Sequence, residues 1–386
     1  MRDSVLTARA VGSAVGQAVR VAVDRAVPGG AARVPLRVED VTEAWLAEVF
    51  GVAPERIHRI RVVESHSGTA ARARIEVTSN ADVPEFLFLK LPPRNYLQHV
   101  LMNLFSLGSR EVTAYRVLGD TPPIRVPRCY ATRSDRVRGR DVLVLEDLSP
   151  TARFRTVVDP LGRDEAEAVV DAMADLHAAF WRDPADAAAG TSSCPRSEVE
   201  TQLGLLIRRR LLGELTGPAA DLVPATIREQ IRIFYERGRE IDAFWARQPQ
   251  TLIHGDPHLG NLFFEDAGPG FLDWQISTTG CGIRDVAYFA NASVEPELLR
   301  EIERGLVERY AARLAAAGIA VDPERLWTLY QVGITELLLA IVCTAEAGER
   351  MQSSAVTRCG VARAVAGVEA HNSLVLLAAF LDGRRV

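Results

Sequence analysis

Lysine is almost absent from this sequence, because every one of its 45 basic residues is arginine except Lys90. Such a bias indicates that arginine is used wherever a positive charge suffices, and that the exception stands where a guanidinium does not serve. A compact ammonium group facing phosphate oxygens in a narrow site is one such place. A chance position at the end of a strand is the alternative. Lys90 is therefore the first residue to test for a chemical role.

Closely spaced cysteines and an excess of basic charge are also lacking. The five cysteines are scattered, which excludes the spacing of a zinc site or a redox dithiol and predicts reduced thiols in a cytoplasmic protein. The net charge of -5 and the pI of about 5.9 disfavour a nucleic acid as partner. A small molecule fits this composition better, and nothing in the sequence implies an obligate protein partner.

No apolar run is long enough to predict a membrane span. The longest one, Val332 to Cys343, is too short for a bilayer and contains Glu336, so it predicts a core helix. The first 27 residues are rich in Ala, Val and Arg, but their charged residues interrupt the apolar core that a secretory signal requires. They predict an amphipathic helix packed on the domain, with a membrane-surface or targeting segment as the alternative.

The first third of the chain is rich in strand patterns. Ile57 to Val63 and Ala71 to Val77 alternate apolar with polar residues around Glu64 to Ala70, which predicts a hairpin with a small-residue tip. Two further apolar runs, Phe86 to Leu91 and Val142 to Leu145, predict two more strands. A sheet is therefore expected in this part of the molecule.

Helical patterns flank this sheet and dominate the remainder. A helix is predicted over Val38 to Phe50, with Asp40 as N-cap and Gly51 as its stop, and a short one over Arg110 to Leu118. Apolar residues recur at helical spacing in five later segments: Val169 to Phe180, Ile227 to Trp245, Glu297 to Ala317, Pro323 to Cys343 and Ala355 to Leu381. One β-rich insert, residues 252–273, lies among them. This order predicts an α+β fold.

The strongest chemical signal is the run His254 to Asn261, followed by Phe271 to Trp274. Phosphoryl transfer needs a carboxylate that orients the attacking hydroxyl and accepts its proton, together with oxygen ligands that hold Mg²⁺ against the phosphates. Asp256, Asn261 and Asp273 supply such a set. Glycine and proline within the run predict a tight loop that directs Asp256 and Asn261 into one site.

The run His254 to Asn261, followed by Asp273-Trp274, resembles the catalytic loop and metal-binding aspartate of aminoglycoside phosphotransferases, choline kinases and ecdysteroid kinase-like proteins. The resemblance extends from about residue 38 onward. It is nearest to the ecdysteroid kinase-like branch, which Leu176 to Trp181 resembles most. It implies a protein-kinase-like two-lobed fold with a small antiparallel-sheet N-lobe and a large, mainly helical C-lobe. The expected divisions are a helical extension (1–36), an N-lobe (37–147) and a C-lobe (148–386).

The resemblance also implies roles for individual residues. Asp256 would be the catalytic base, and Asn261 and Asp273 would hold Mg²⁺. Lys90 would contact the α and β phosphates of ATP, with GTP left open as the nucleotide. Glu111 would pair with Lys90 and hold it in place.

Two segments would bind the nucleotide if the resemblance holds. The hairpin tip would lie over the phosphates as the kinase glycine loop does, although Gly68 is its only glycine. Its candidate contacts are Ser65, Ser67, Gly68 and Thr69. The segment Val144 to Leu148 resembles the one that joins the lobes, and Glu146 and Leu148 would contact adenine through their backbones.

Three further residues are expected to support the site rather than to react. Asp285 matches a family position that braces the catalytic loop from below. His254 is expected to pack against and hydrogen-bond that loop, with a direct catalytic role as the alternative. His177 is expected to be a satisfied helix histidine rather than a ligand.

Two other classes of protein share part of this pattern. A metallohydrolase could use His254, Asp256 and His258, but only seven histidines are present and none forms a second motif. A non-catalytic nucleotide-binding regulator would be expected to lack at least one of the key residues, and all are present.

The expected acceptor follows from the side chains of the helices that would line its pocket. An aminoglycoside kinase would be expected to line its pocket with carboxylates for polycationic sugars. The candidate helix instead carries Trp327, Tyr330 and several apolar residues, with Glu336, Glu346 and Glu349 nearby. This balance favours a less charged or partly apolar alcohol, and an aminoglycoside is the alternative.

Overall fold

The computed structural model describes residues 2–26, 34–68, 70–182, 197–348 and 353–384. The chain forms two compact units. The first contains Met1–Pro122, Val126–Thr151 and Arg196–Leu203, and the second contains Pro123–Arg125, Ala152–Pro195 and Gly204–Val386.

The first unit is built on a five-stranded antiparallel sheet. Its strands are β1 (Ile57–Ser67), β2 (Ala71–Ser79), β3 (Phe86–Leu91), β4 (Cys129–Asp135) and β5 (Arg140–Glu146), in the order β1-β2-β3-β5-β4. Alternate residues of β2, namely Ala73, Ile75 and Val77, are buried, as the sequence pattern predicts. β4 was not predicted, because its side chains are half-buried or exposed and show no apolar alternation.

Four helices accompany this sheet: α1 (Arg2–Ala26), α2 (Glu43–Phe50), α3 (Tyr96–Leu104) and α4 (Leu107–Leu118). α2 begins after Thr42, whose hydroxyl accepts a hydrogen bond from the Trp45 amide at 3.2 Å, and it ends at Gly51 with a φ of 66°. The predicted N-cap was wrong, because the Asp40 carboxylate instead accepts from the amides of Leu36 and Arg37. Asp40 thus closes a preceding 3₁₀ turn.

α1 is fixed to the first unit by polar contacts as well as by apolar packing. Leu6, Ala10 and Val21 are buried along one face of the helix. Asp24 is buried and accepts two hydrogen bonds from Arg140 on β5. The helix is amphipathic, as its sequence predicts.

The second unit is mainly helical. Its helices are α5 (Arg163–Ala179), α7 (Ala225–Gln230), α8 (Ile233–Glu236), α9 (Gly238–Ala246), α10 (Ile283–Ser293), α11 (Pro296–Ala316), α12 (Pro323–Ala347), α13 (Ser354–His371) and α14 (Ser373–Leu381), while α6 (Glu198–Leu212) begins in the first unit and continues into the second. Short strands form a pair, β7 (Thr251–Ile253) with β10 (Thr278–Gly280), and a triplet, β6 (Arg153–Phe154), β8 (Leu262–Glu265) and β9 (Gly268–Phe271).

Two predicted helices are divided in the structure. The segment Ile227 to Trp245 forms three shorter helices, and Ala355 to Leu381 forms two. The second division falls at Asn372, which has a left-handed φ of 49° that ends α13. Asparagine tolerates this conformation better than most residues, so the break has a local cause.

α12 is longer than the apolar run that predicted it. By length and composition it could cross a membrane, but 61% of its most apolar window is buried inside the protein. It packs against α10, α11, α13 and α14. α12 is thus the central helix of the second unit, which agrees with the predicted core helix.

Candidate active site

The run His254 to Asn261 forms the loop between β7 and β8, as the glycine and proline content predicts. Gly255 has a φ of 83°, and a Cβ atom there would lie 2.9 Å from the Ile276 carbonyl oxygen. Only glycine avoids both the strained dihedral and this close approach. The chain can therefore turn sharply immediately before Asp256.

Asn261 binds back to Asp256 across this loop. Its Nδ2 donates to the Asp256 carbonyl at 2.9 Å and to the Asp256 Oδ2 at 3.2 Å. With the amide nitrogen directed at Asp256, the Asn261 Oδ1 is the atom of this side chain that can accept or coordinate. The two predicted residues are therefore in direct contact.

Asp273 follows strand β9, and the residue before it is bonded to Asn261. The Leu272 amide, immediately before Asp273, donates to the Asn261 carbonyl at 2.8 Å. Asp273 itself has a left-handed backbone, with φ 60° and ψ 68°. Such a conformation is unfavourable for a residue other than glycine, and it recurs where a side chain is held for function.

These contacts bring all three candidate residues of the second unit together. Carboxylate and amide oxygens from Asp273 and Asn261 are the hard ligands that Mg²⁺ prefers, so the residues present fit this ion. In the described part of the chain, no group of three or more His, Cys, Asp or Glu side chains could hold a metal. A dinuclear centre around His254 and His258 therefore has no support among the described residues.

Asp285 supports the loop from α10. Its Oδ2 accepts from the His254 amide at 2.6 Å and its Oδ1 accepts from the Gly255 amide at 2.9 Å. Burial alone would raise the pKa of this carboxyl, but the hydrogen bond and charge of His177 and the backbone donors outweigh it and lower the pKa. Asp285 thus remains ionised and holds the turn from behind.

His254 directly follows β7 and is hydrogen-bonded to Leu272, which directly follows β9. Its Nε2 lies 2.7 Å from the Leu272 carbonyl and therefore carries the proton, while Nδ1 accepts from the Asp256 amide at 3.3 Å. Its ring packs against Trp274, with centroids 4.7 Å apart. Burial lowers the pKa of this imidazole, which favours the neutral form that these bonds require.

His177 is fully buried on α5. Its Nδ1 lies 3.0 Å from the Tyr310 hydroxyl and its Nε2 lies 3.3 Å from the Asp285 Oδ2. Both ring nitrogens therefore have protein partners. The arrangement fits the expected satisfied helix histidine.

Tyr288 is a site residue that the sequence reasoning missed. Its hydroxyl hydrogen-bonds to the Asp256 carboxylate, and burial together with the Asp256 charge raises the pKa of the phenol well above its usual value. The hydroxyl therefore stays protonated and donates. Its position one turn after Asp285 on α10 was the available signal, but a tyrosine in an apolar helix is more often read as core.

In the first unit, Lys90 and Glu111 form a buried ion pair. The Lys90 Nζ on β3 lies 2.5 Å from the Glu111 Oε1 on α4, and the side chains are 8% and 2% exposed. A buried charge of either sign is costly unless it is paired. The sole lysine of the chain is thus held by a specific partner.

The hairpin tip is shorter than predicted. Ser65 and Ser67 belong to β1, paired with Ala73 and Ala71, and the Ser65 hydroxyl accepts from Arg94 at 2.8 Å. Gly68 closes the turn by donating to the Ala70 carbonyl at 3.1 Å. Thr69 and the side chain of Ser67 lie outside the described residues. Alternating small and polar residues in this hairpin hid the extent of the strand.

The predicted adenine contacts lie at the end of β5. The Glu146 amide donates to the Arg128 carbonyl at 2.9 Å, and its carboxylate accepts from the Arg128 amide. Leu148 is buried, and its carbonyl accepts from the Thr151 amide at 3.1 Å. Leu148 would therefore contact a nucleotide through its N–H group.

Comparison with solved structures defines the fold. A choline kinase from Cryptosporidium parvum aligns with a TM-score of 0.54 at 10% identity, covering 88% of this chain and 96% of that one. A proposed aminoglycoside phosphotransferase from Ralstonia eutropha aligns with a TM-score of 0.50 at 17% identity, covering 86% and 97%. A choline/ethanolamine kinase family protein from Mesorhizobium loti aligns at 0.50 with 16% identity, covering 88% and 98%. The protein therefore has the α+β, protein-kinase-like fold predicted from its sequence.

The family follows from the sequence itself. A model described as the phosphotransferase enzyme family matches residues 65–326, which include the loop and all five residues that the resemblance implies for catalysis and metal binding. The chain belongs to this phosphotransferase family. No curated protein sequence matches the chain. Its expected place in the ecdysteroid kinase-like branch stays a prediction.

Proposed function

We propose that this protein transfers the γ-phosphoryl group of ATP to a hydroxyl of a small molecule in a Mg²⁺-dependent reaction. The contact of Asn261 with Asp256, beside Asp273, is the observation that carries the proposal. It sets a carboxylate for the acceptor hydroxyl next to oxygen ligands for the cation. Family membership supports the same reaction type.

Asp256 is the general base in this proposal. Its side chain is 31% exposed, so an acceptor hydroxyl can reach it. Asn261 and Tyr288 each donate a hydrogen bond to its carboxylate, and the His254 Nδ1 accepts one from its backbone amide. These contacts fix the direction of the carboxylate. The acceptor hydroxyl would then donate its hydrogen bond to Asp256 and transfer its proton there as its oxygen bonds to the γ-phosphorus, while the bond from that phosphorus to the bridging oxygen breaks and ADP leaves.

Asn261 and Asp273 would hold Mg²⁺ through oxygen atoms. The bound ion would supply charge neutralisation for the phosphate groups. The chain's contribution is to set the two ligands beside one another, through the bond between the Leu272 amide and the Asn261 carbonyl. The strained backbone of Asp273 is consistent with a side chain whose position matters.

Lys90 and Glu111 would help to bind the nucleotide. The Lys90 ammonium would contact the α and β phosphates as a compact charge, and Glu111 would keep it oriented. The Leu148 N–H group would donate to adenine. Gly68 would let the hairpin tip lie over the phosphates, while its own N–H group closes the turn onto the Ala70 carbonyl. ATP is the proposed nucleotide, and GTP is the alternative that competition binding would reveal.

The proposal is tested by Mg²⁺-dependent ADP release from ATP over a panel of aminoglycosides, amino alcohols, macrolides and neutral alcohols. We expect acceptor-stimulated turnover that Asp256→Asn lowers by at least 10²-fold, since a positioned general base contributes about 10² to 10⁴. Asp266→Asn is the matched control, because Asp266 is exposed on the β8–β9 hairpin. Nucleotide binding without turnover of any acceptor would instead favour the non-catalytic regulator.

A further inference from the structure

The Glu336 carboxylate lies near the residues that hold Asp256, and Arg284 already balances its charge. α10 presents Arg284 and, one turn later, Tyr288 on the same face. Tyr288 binds the Asp256 carboxylate, and the Arg284 Nη2 donates to the Glu336 Oε2 at 2.9 Å. Arg284, which pairs with Glu336, therefore lies one helical turn before a residue that contacts Asp256.

A close crossing of α10 and α12 brings Glu336 to this place. A Cβ atom at Gly333, one turn before Glu336, would lie 3.0 Å from the Ala287 Cβ and 3.6 Å from the Arg284 Cα. The absence of a side chain at Gly333 lets the helices approach. The Arg284 and Glu336 side chains are nevertheless 21% and 19% exposed, so the pair is open to solutes.

Both oxygens of Glu336 hold a donor from the protein. The Trp245 Nε1 donates to Oε1 at 3.1 Å, while Arg284 donates to Oε2. The Arg284 guanidinium also lies over the Trp245 ring, 5.1 Å from its centroid. A cationic acceptor attracted to Glu336 would therefore have to displace an arginine that has two partners of its own.

We infer that the acceptor of this enzyme is a neutral hydroxyl compound, and that Arg284 determines this specificity by keeping Glu336 from binding a cationic head group. The inference rests on the proposed function, because it names the acceptor of that same site. The neutral ion pair removes the attraction that an unpaired carboxylate would exert on an amino alcohol or an aminoglycoside.

Acceptors of equal shape and different charge test the inference directly. Choline and neutral 3,3-dimethylbutan-1-ol have the same shape, but the quaternary nitrogen of choline is replaced by carbon in the second compound. Ethanolamine, as the cation, and neutral 1-propanol form a smaller pair of the same kind. We expect the wild-type kcat/KM to favour the neutral member of each pair by about tenfold or more, because a charged group that leaves water without a partner of opposite charge carries a large desolvation cost. A wild-type preference for choline or ethanolamine overturns the inference.

Arg284→Met keeps the length of the side chain and removes its charge. In this variant Glu336 loses its cation, and the ratio of kcat/KM values is expected to move toward the cationic member by about tenfold. Adding Glu336→Gln should reverse that shift. Arg325→Met, which removes an exposed arginine of the second unit, is the control and should leave the ratio unchanged. A ratio that Arg284→Met does not move overturns the inference.

Arg284→Gln keeps the test decisive if Arg284→Met does not fold. It likewise removes the cation from Glu336, so the ratio of kcat/KM values should again move toward choline by about tenfold. An unchanged ratio in this variant overturns the inference. Failure of the wild-type protein to use any acceptor contradicts the proposed function, and the inference falls with it.

Discussion

Asp24 and Arg140 form a two-point ion pair in the first unit, with Arg140 Nε and Nη2 each 2.8 Å from one carboxylate oxygen of Asp24. Their side chains are 3% and 2% exposed. Arg140 also donates to the Val34 carbonyl at 2.9 Å. The pair connects the N-terminal helix to strand β5 and to the segment between them, so the first residues of the chain are part of this unit's core.

Removing one partner of this pair is expected to destabilise the first unit. Asp24→Asn leaves the Arg140 charge buried without compensation, which typically costs about 3 to 5 kcal/mol. Hydrogen exchange of the β5 amides measures the loss within this unit. Asp82→Asn, an exposed change in the same unit, is the control. Equal protection in the two variants would contradict the role given to the pair.

Replacing the single lysine by arginine tests whether charge alone is needed at this position. Lys90→Arg keeps the charge, but the larger planar group cannot occupy the same contact with Glu111 in a buried site. We expect the KM for ATP to rise and kcat to fall, together by about 10² in kcat/KM. Arg59→Lys on β1 is the reverse exchange at an exposed site and should have no effect. Full activity of Lys90→Arg would mean that the lysine persists there by chance.

Removing the Tyr288 hydroxyl should affect the chemical step more than nucleotide binding. Tyr288→Phe deletes the donor to the Asp256 carboxylate, and a hydrogen bond to a charged group contributes about 1.5 to 3 kcal/mol. We expect kcat to fall by roughly 10- to 100-fold while the KM for ATP stays constant. Tyr330→Phe is the control, because Tyr330 is buried and bonds to Asn291 instead. A change confined to KM would place Tyr288 outside the chemical step.

The stability of the second unit should decrease in mild acid. Burial lowers the pKa of His254, so the unfolded chain takes up a proton below about pH 6.5 that the folded chain resists. Stability is therefore complete above that pH and falls as the pH decreases through it, by at most about 1.4 kcal/mol per pH unit for this group. The lowered pKa of Asp285 adds a second loss below about pH 4.

Hydrogen exchange of the loop containing Asp256, followed from pH 7 to 5 after correction for intrinsic rates, measures this effect. His254→Gln should flatten the dependence, whereas His58→Gln on β1, where the side chain is exposed, should not. An equal pH dependence in the His254 variant and the wild type would assign the acid sensitivity to another group.

The sequence predicted those features that depend on local pattern or on spacing along the chain. Strand β3, the loop after β7 and the order of sheet before helices follow from apolar periodicity and from Gly255. The pairing of Lys90 with Glu111 could be expected only from the family resemblance, because no local pattern connects a strand to a helix across the intervening segment.

The sequence could not predict contacts that depend on how helices cross. Nothing in the residues around Tyr288 distinguishes a donor to Asp256 from an ordinary core tyrosine, and no local pattern pairs Glu336 with Arg284, which lies on another helix. The N-cap at Thr42 was missed for a different reason. Asp40 and Thr42 are both good capping residues, and only the backbone decides between them.

If Arg284 and Glu336 set the choice of acceptor as we infer, the helix crossing at Gly333 makes that choice depend on a residue outside the ion pair. A methyl group at this position would press on Ala287 at 3.0 Å, so the two helices would have to separate by a few tenths of an ångström. Glu336 would then move away from Arg284, and their balance of charge would loosen. In evolution or in engineering, selectivity among alcohols could thus be adjusted by the spacing of two helices, while every catalytic side chain stays the same.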